Sequence, residues 1–120
     1  MMEELFGDVI SSYSRAQAIE DGVLVDVSKM ASEAGFRIPV AVSAAVWADI
    51  NQKPASQDVN GRLWDILWMT RLRARGNAGD TIYTDLIMQV GRNKRYRVKA
   101  VVGPGDALEP VITIMRPEED

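Results

Sequence analysis

The side chains that most enzymes use for proton transfer and covalent catalysis are missing from this sequence. Its 120 residues include no histidine and no cysteine, so the commonest general base and the commonest soft nucleophile are both absent. Ser11, Ser12 and Ser14 therefore have no histidine to activate them. Zinc sites built from cysteine or histidine are excluded, whereas oxygen-only Mg²⁺ or Ca²⁺ sites stay open. We expect a protein without enzymatic activity or cofactor, with a carboxylate-based enzyme as the alternative.

Positive charge in a predicted β-hairpin is the main candidate binding feature. Strand alternation places Arg95, Arg97 and Lys99 on one face, ~7 Å apart at ~3.3 Å of rise per residue. Such a row can track phosphate groups, although a solvated sheet face has the same pattern. The candidates for binding nucleic acid or another partner are Arg92, Lys94, Arg95, Arg97, Lys99, Arg71 and Arg75. For Arg71, Arg75 and the neighbouring Arg73, the favoured interpretation is a role in complementing a helix dipole.

Two tryptophans one helical turn apart form the second candidate feature. Trp64 and Trp68 have the spacing to stack bases or to anchor a protein interface. Only Trp47, Phe6 and Phe36 provide further tryptophan or phenylalanine rings, so the core needs these side chains and a core role is favoured.

Two further motifs have residue types that could form chemical sites. Asp65 lies between the tryptophans, where a functional carboxylate is conceivable but local pairing with Arg62 is simpler. The segment Gly103-Pro104-Gly105-Asp106 lacks the lysine and the following helix of a phosphate-binding loop. We therefore predict a turn there.

The net charge of −3 conceals an uneven distribution along the chain. Residues 1–61 carry four basic and nine acidic side chains, residues 62–99 carry nine and three, and residues 100–120 carry one and five. This dipolar pattern suits a basic face that binds an anionic partner, although surface charge also serves solubility.

Hydrophobic periodicity predicts one α+β domain over residues 1–120, with helices and short strands first and a three-stranded antiparallel meander last. The long aromatic helix is apolar on two faces, which makes it central or makes a homodimer one option. Pro39 places the second short strand at a sheet edge or at a strand start. The order of the strands is not derivable, and residues 117–120 are predicted to be a frayed acidic tail.

The predicted elements of the N-terminal half are a helix capped by Asp8 and ended at Gly22, a buried strand over 23–27, a short helix capped by Ser28 and closed at Gly35, and a strand over 38–42. A short helix capped by Ser43 follows, in which Ala44, Trp47 and Ala48 form one stripe. The remaining elements are a polar loop over 53–60, a helix over 62–75, and strands over 82–90, 95–102 and 111–115.

Several segments are distinctive as strings: Gly22 to Val27 (GVLVDV), Gly61 to Met69 (GRLWDILWM), Ala100 to Asp106 (AVVGPGD) and Pro110 to Met115 (PVITIM). The chain resembles a family of small uncharacterised proteins encoded on bacterial plasmids and phages. This resemblance implies an accessory protein that binds host machinery, including restriction and CRISPR complexes.

The sequence therefore leads to two hypotheses about function. The first is a non-enzymatic interaction protein of a mobile genetic element, which binds a host protein or nucleoprotein complex and acts as a defence antagonist. The alternative is direct binding of nucleic acid through the basic hairpin. The N-terminus is acidic, and no apolar run approaches the ~20 residues that span a bilayer. We expect a cytoplasmic protein that does not engage membranes.

Overall fold

A computed structural model describes residues 13–52, 58–77 and 79–120. Within these ranges the chain forms four helices and a five-stranded mixed sheet, which confirms the predicted α+β class. No helix in this part of the chain is long and apolar enough to cross a membrane. The elements are α1 (Arg15–Glu20), β1 (Leu24–Asp26), α2 (Ser28–Glu33), β2 (Val40–Ser43), α3 (Ala44–Asn51), α4 (Val59–Ala74), β3 (Thr81–Val90), β4 (Asn93–Pro104) and β5 (Pro110–Met115).

The sheet has the strand order β1-β2-β5-β4-β3. The predicted meander of β3, β4 and β5 is confirmed, and the two short N-terminal strands extend it beyond β5. The pairing of β2 with β5 is parallel, whereas all other pairs are antiparallel. Pro39 directly precedes the interior strand β2, so its role at a strand start is confirmed. The N-terminal β1 is a half-buried edge strand, not the buried strand expected from its composition.

The hydrophobic core lies between one face of the sheet and the helices α2, α3 and α4. Val42, Val98 and Ile114 point from three neighbouring strands into this core and are fully buried. Ile66 and Leu67 meet them from α4 and are also fully buried. The stripe predicted for α4, Leu63, Ile66, Leu67 and Thr70, is confirmed as its buried face.

The first helix of the described residues begins at Arg15 and has Ser14 as its cap. Ser14 is extended and accepts a hydrogen bond from the amide of Gln17 at 3.0 Å, while the Gln17 side chain accepts from the Ser14 amide. This capping box starts the described helix at Arg15. The predicted cap at Asp8 lies outside the described residues. The helical segment ends at Gly22, as predicted, and this glycine has the left-handed φ of +80° that is common after a helix.

The predicted cap of α2 is wrong. Ser28 is the first residue of the helix, and Val27 holds the cap position without a side-chain hydrogen bond. The Ser28 hydroxyl donates to Asp26 Oδ1 at 2.6 Å and accepts from the Val40 amide at 3.0 Å. This serine therefore connects the end of β1 to the start of β2 and does not cap α2.

The third helix is capped as predicted but buries a different face. The Ser43 hydroxyl accepts from the Val46 amide at 3.2 Å. Val46, Asp49 and Ile50 form the buried face. The predicted stripe is wrong because Ala44 and Ala48 are exposed.

The fourth helix starts at Val59, three residues earlier than predicted, because Asp58 caps it. The Asp58 carboxylate accepts from the Gly61 amide at 2.6 Å. The predicted polar loop therefore ends at Asp58, and its residues 53–57 lie outside the described part of the chain.

A buried carboxylate connects elements that are far apart in sequence. Asp49 is 6 % exposed. Its Oδ2 accepts from the Tyr96 hydroxyl at 2.6 Å, and both of its oxygens accept from Arg116, at 2.8 Å from Nε and 2.6 Å from Nη2. Arg62 adds hydrogen bonds to the main-chain oxygens of Asp49 and Ile50, each at 2.9 Å. We call Asp49, Tyr96, Arg116 and Arg62 the Asp49 clamp.

The charges of the clamp determine its protonation state. Burial acts to raise the pKa of Asp49, but the hydrogen bonds from Arg116 and Tyr96 outweigh it and hold the pKa below the ordinary value of 3.8. Burial, together with the neighbouring Asp49 carboxylate, raises the pKa of the Tyr96 phenol far above its usual range. At neutral pH the clamp therefore consists of an ionised aspartate, a neutral tyrosine and charged arginines.

We expect the exchange Asp49→Asn to destabilise the fold by about 1–3 kcal/mol. This range is below that of a fully buried ion pair because Arg116 is 38 % exposed. Urea unfolding followed by tryptophan fluorescence measures the effect. Glu33→Gln, at an exposed helix position, is the matched control and should change stability by no more than about 0.5 kcal/mol. Equal stability of the two variants would contradict the clamp.

The same pair of proteins tests the charge state. A carboxyl group with a lowered pKa stabilises the folded state only while it is ionised. The difference between wild type and Asp49→Asn should therefore be largest near neutral pH and shrink as the pH falls through the lowered pKa of Asp49. A difference that does not depend on pH would contradict this assignment.

Candidate interaction surface

The β3–β4 hairpin has one face in the core and one face outside it. Tyr96, Val98 and Ala100 point toward the core, and the side chains between them point outward. The predicted alternation, with Arg95, Arg97 and Lys99 on one face, is confirmed. The outward cross-strand pairs are Tyr83 with Lys99, Asp85 with Arg97, and Ile87 with Arg95.

Two of the three outward cations have partners within the chain. Lys99 Nζ donates to the main-chain oxygen of Glu119. Arg97 Nε lies 3.7 Å from Asp85 Oδ1, and its Cζ lies 4.9 Å from the centre of the Tyr83 ring. Asp85 thus partly neutralises Arg97, whereas the main-chain oxygen of Glu119 holds the Lys99 ammonium group in place without cancelling its charge.

The acidic C-terminal segment, which the sequence predicts to be frayed, lies against the sheet through Glu119. The Glu119 carboxylate accepts from the Ser43 hydroxyl and from the Arg116 amide, both at 2.7 Å. These contacts cover the outward face near β2 and β5 and leave the far end of the hairpin open.

The hairpin end carries the unpaired part of the basic set. Arg92, Lys94 and Arg95 are all exposed, and none has an ion pair or side-chain hydrogen bond among the described residues. Ile87, directly opposite Arg95, is 85 % exposed. We call Ile87, Arg92, Lys94 and Arg95 the hairpin tip. It can attract an anionic surface at long range and bury an aliphatic side chain on contact.

The arginines at the end of α4 do not all extend this surface. Arg71 Nε donates to the Gly35 oxygen at 3.1 Å, next to α2. Arg73 Nε donates to the Tyr83 oxygen at 3.3 Å, on the hairpin side. Arg75 follows the last turn of α4 and is exposed. The structure thus brings Arg73 to the hairpin and places Arg71 on the opposite flank of the helix.

One tryptophan of the pair packs against the core, and the other lies at the surface. The rings of Trp64 and Trp68 stack with centroids 5.9 Å apart and an interplanar angle of 12°. Trp64 is half-buried and packs against the core, whereas Trp68 is 43 % exposed, as are Met69 and Leu72 to similar extents. The second apolar face of α4 is therefore largely at the surface.

The predicted pairing of Asp65 with Arg62 is wrong. Arg62 is buried and directs its guanidinium to the C-terminal end of α3, within the Asp49 clamp. Asp65 stays exposed on α4. In the described ranges no three carboxylates gather in a cluster that could hold a metal ion.

Two features of the surface were not predicted from the sequence: the contact of Asp106 with α1 and the exposure of Ile87. Asp106 accepts from the amides of Arg15 at 2.7 Å and Ala16 at 3.0 Å, so it closes the N-terminus of α1 from the far side of the chain. The predicted turn is shorter than expected because β4 continues to Pro104. The exposure of Ile87 had a signal, since Ile87 alternates in phase with Tyr83 and Asp85 on the outward face.

The tryptophan stack has a spectroscopic consequence that can be measured. Two indoles at this separation should couple and produce a couplet in the circular dichroism spectrum. We expect either Trp64→Phe or Trp68→Phe to abolish the couplet, while Trp47→Phe leaves it intact. A couplet that survives both of the first two exchanges would contradict the stack.

Comparison with protein families confirms the coarser part of the resemblance, which is membership of an uncharacterised family. The family model of DUF6573, a family of unknown function, matches residues 2–120, and the chain belongs to this family. Comparison with curated proteins and with solved structures yields no match.

Proposed function

We propose that this protein is a non-enzymatic interaction protein that uses the hairpin tip to bind an acidic surface on a protein or nucleoprotein complex. The observation that supports this most directly is the position of Ile87, 85 % exposed and opposite Arg95. An aliphatic side chain in a cluster of cations is typical of a protein interface, where charge guides the encounter and apolar burial adds affinity.

The chemistry of the tip favours a protein surface over bare nucleic acid. Burying an isoleucine side chain is worth roughly 1.5–3 kcal/mol, and the charged phosphate groups that the cations of the tip would contact offer no apolar surface next to them. The row of cations behind the tip is also engaged, since Arg97 contacts Asp85 and Lys99 binds the Glu119 oxygen. Arg97 is therefore less available to follow a phosphate chain than the sequence indicated.

The biological setting is part of the proposal. The resemblance to proteins of plasmids and phages implies a bacterial host, a cytoplasmic location and a partner among the host's defence complexes, such as restriction or CRISPR assemblies. The origin, the location and the identity of the partner remain predictions.

Direct binding of nucleic acid is the second candidate. Arg92, Lys94 and Arg95 support it because none of them has an acidic partner among the described residues. Each phosphate that such a cation neutralises would make affinity fall more steeply with salt.

Two variants distinguish the candidates. The charge variant carries Arg92→Gln, Lys94→Gln and Arg95→Gln, and the apolar variant carries Ile87→Thr, which keeps a β-branched side chain in the strand. Leu108→Asn is the control for the apolar variant, because Leu108 is 83 % exposed and its φ of 65° suits asparagine. Lys29→Gln with Arg37→Gln, at two exposed positions, controls for loss of positive charge.

Binding is measured in two ways. Affinity capture from a bacterial lysate after nuclease treatment detects protein partners, and anisotropy of short labelled DNA and RNA between about 50 and 200 mM salt detects nucleic acid. For a protein partner, both the charge variant and Ile87→Thr should weaken capture about tenfold, and the controls should not. For nucleic acid, only the charge variant should lose affinity. If neither variant changes either measurement, the hairpin tip is not the binding surface.

A further inference from the structure

The outer side of α4 is negatively charged near the start of the helix and positively charged near its end. An acidic residue lies in its first half, basic residues lie at its end, and exposed apolar side chains lie between them. We call this surface the α4 strip; it consists of Gly61, Asp65, Trp68, Met69, Leu72 and Arg73. It runs beside β3, the edge strand of the sheet.

Three residues of the strip form one ridge of the helix. Asp65, Met69 and Arg73 follow each other at intervals of four residues, which corresponds to ~6 Å of rise per interval. Met69 is 39 % exposed, and both charged residues are exposed. The two opposite charges are therefore ~12 Å apart along one helix and lie symmetrically about Met69.

This symmetry is what a twofold interface requires. In an isologous contact the same patch is used by both subunits and must be complementary to itself. If two α4 helices cross in antiparallel directions at Met69, Asp65 of each chain faces Arg73 of the other and the two Met69 side chains meet. From this charge complementarity we infer that the α4 strip binds a second copy of this chain and forms a homodimer.

The surroundings of the ridge are compatible with this contact. Arg73 Nε donates to the Tyr83 oxygen at 3.3 Å, which holds the guanidinium at the end of the strip. Its two terminal nitrogens have no ion pair or hydrogen bond among the described residues. A shallow depression of about 290 Å³, lined by Met69, Leu72 and Arg73 with Thr84 and Asp85, lies beside the ridge and can accept a side chain of the second copy.

The neighbouring edge of β3 is partly covered. The Asp80 oxygen accepts from the Val102 amide at 2.8 Å, and antiparallel pairing alternates, so the main-chain groups of odd-numbered residues such as Tyr83 and Asp85 point away from β4. Arg73 Nε covers one of these groups, the Tyr83 oxygen, at 3.3 Å. Asp85 lines the depression beside the ridge, so this depression reaches the edge of the sheet.

The dimer does not depend on the proposed function, because it uses α4 and not the cations of the hairpin tip. Each chain of the dimer would nevertheless carry one hairpin tip, which would allow bivalent attachment to a partner.

Sedimentation equilibrium of the full chain tests the inference. Wild type is expected to be dimeric, and Met69→Lys, at the centre of the contact, is expected to be monomeric. Asp65→Lys and Arg73→Glu each create two like-charge contacts and should weaken the dimer about tenfold. Glu33→Lys, on the exposed end of α2, should have no effect. Circular dichroism checks that every variant is folded.

A mixture of the two charge variants gives the most specific result. Chains with Asp65→Lys carry two cations on the ridge, and chains with Arg73→Glu carry two anions, so an equimolar mixture should form heterodimers with at least wild-type affinity, detectable by native mass spectrometry. A wild type that stays monomeric at every concentration would overturn the inference. A dimer that is insensitive to Met69→Lys, or a mixture that associates no better than each variant alone, would also overturn it.

Discussion

The Asp49 carboxylate is the constraint on which the arrangement of this domain depends. A buried carboxylate is costly unless it is ionised beside a cation and its oxygens accept hydrogen bonds. Arg116 supplies a bidentate pair and Tyr96 a third hydrogen bond. Because these donors come from β4 and from the residue after β5, satisfying one side chain fixes α3 against the C-terminal half of the sheet.

The same cluster fixes the position of α4. The last main-chain oxygens of helix α3 need donors from outside the regular helical pattern. Arg62 donates to the Asp49 and Ile50 oxygens, and the Gln52 amide also donates to the Asp49 oxygen, at 3.2 Å. Arg62 is only 4 % exposed, so this contact replaces the water that would otherwise solvate the helix end. The first turn of α4 is thereby held against α3, and its ridge of Asp65, Met69 and Arg73 is left facing outward.

The hairpin tip is the part of the sheet that lies beyond the clamp. Tyr96 is the residue of β4 that enters the clamp, and the strand pairing continues past it to Val90 and Asn93. Met88 and Val90 still contribute to the core, whereas Ile87, Arg92, Lys94 and Arg95 are exposed side chains that the core does not need. Binding residues commonly occupy such projections, because the scaffold behind them is rigid and the exposed positions can change without cost to stability.

The sequence predicted those helices and strands that have one buried face and therefore a regular spacing of apolar residues. The apolar spacing of α4 and the alternation of β3 each come from one buried face, so both were recognisable in the sequence. Ser28 and Arg62 were misassigned because their partners, Val40 in β2 and the end of α3, lie at least ten residues away. The exposed alanines of α3 were misassigned for a related reason, since the helix turns its polar Asp49 inward to meet Arg116.

For the candidate surface, the sequence predicted which side chains share a face but not which partners they have. The outward row of Arg95, Arg97 and Lys99 followed from strand alternation. The partners of Arg97 and Lys99 did not follow from it, because Asp85 lies on the neighbouring strand and the main-chain oxygen of Glu119 comes from the C-terminal segment. Sequence spacing shows which side chains share a face, whereas only the packed structure shows which of them keep a charge free for a partner.

A double-mutant cycle on Asp49→Asn and Arg116→Gln tests the central claim most directly. Unfolding free energies of wild type, both single variants and the double variant give the coupling between the two side chains. If the clamp organises the domain, the coupling should exceed about 1 kcal/mol, and the double variant should be little less stable than Asp49→Asn alone. Additive effects, with a coupling near zero, would show that the two side chains act independently and would contradict the account.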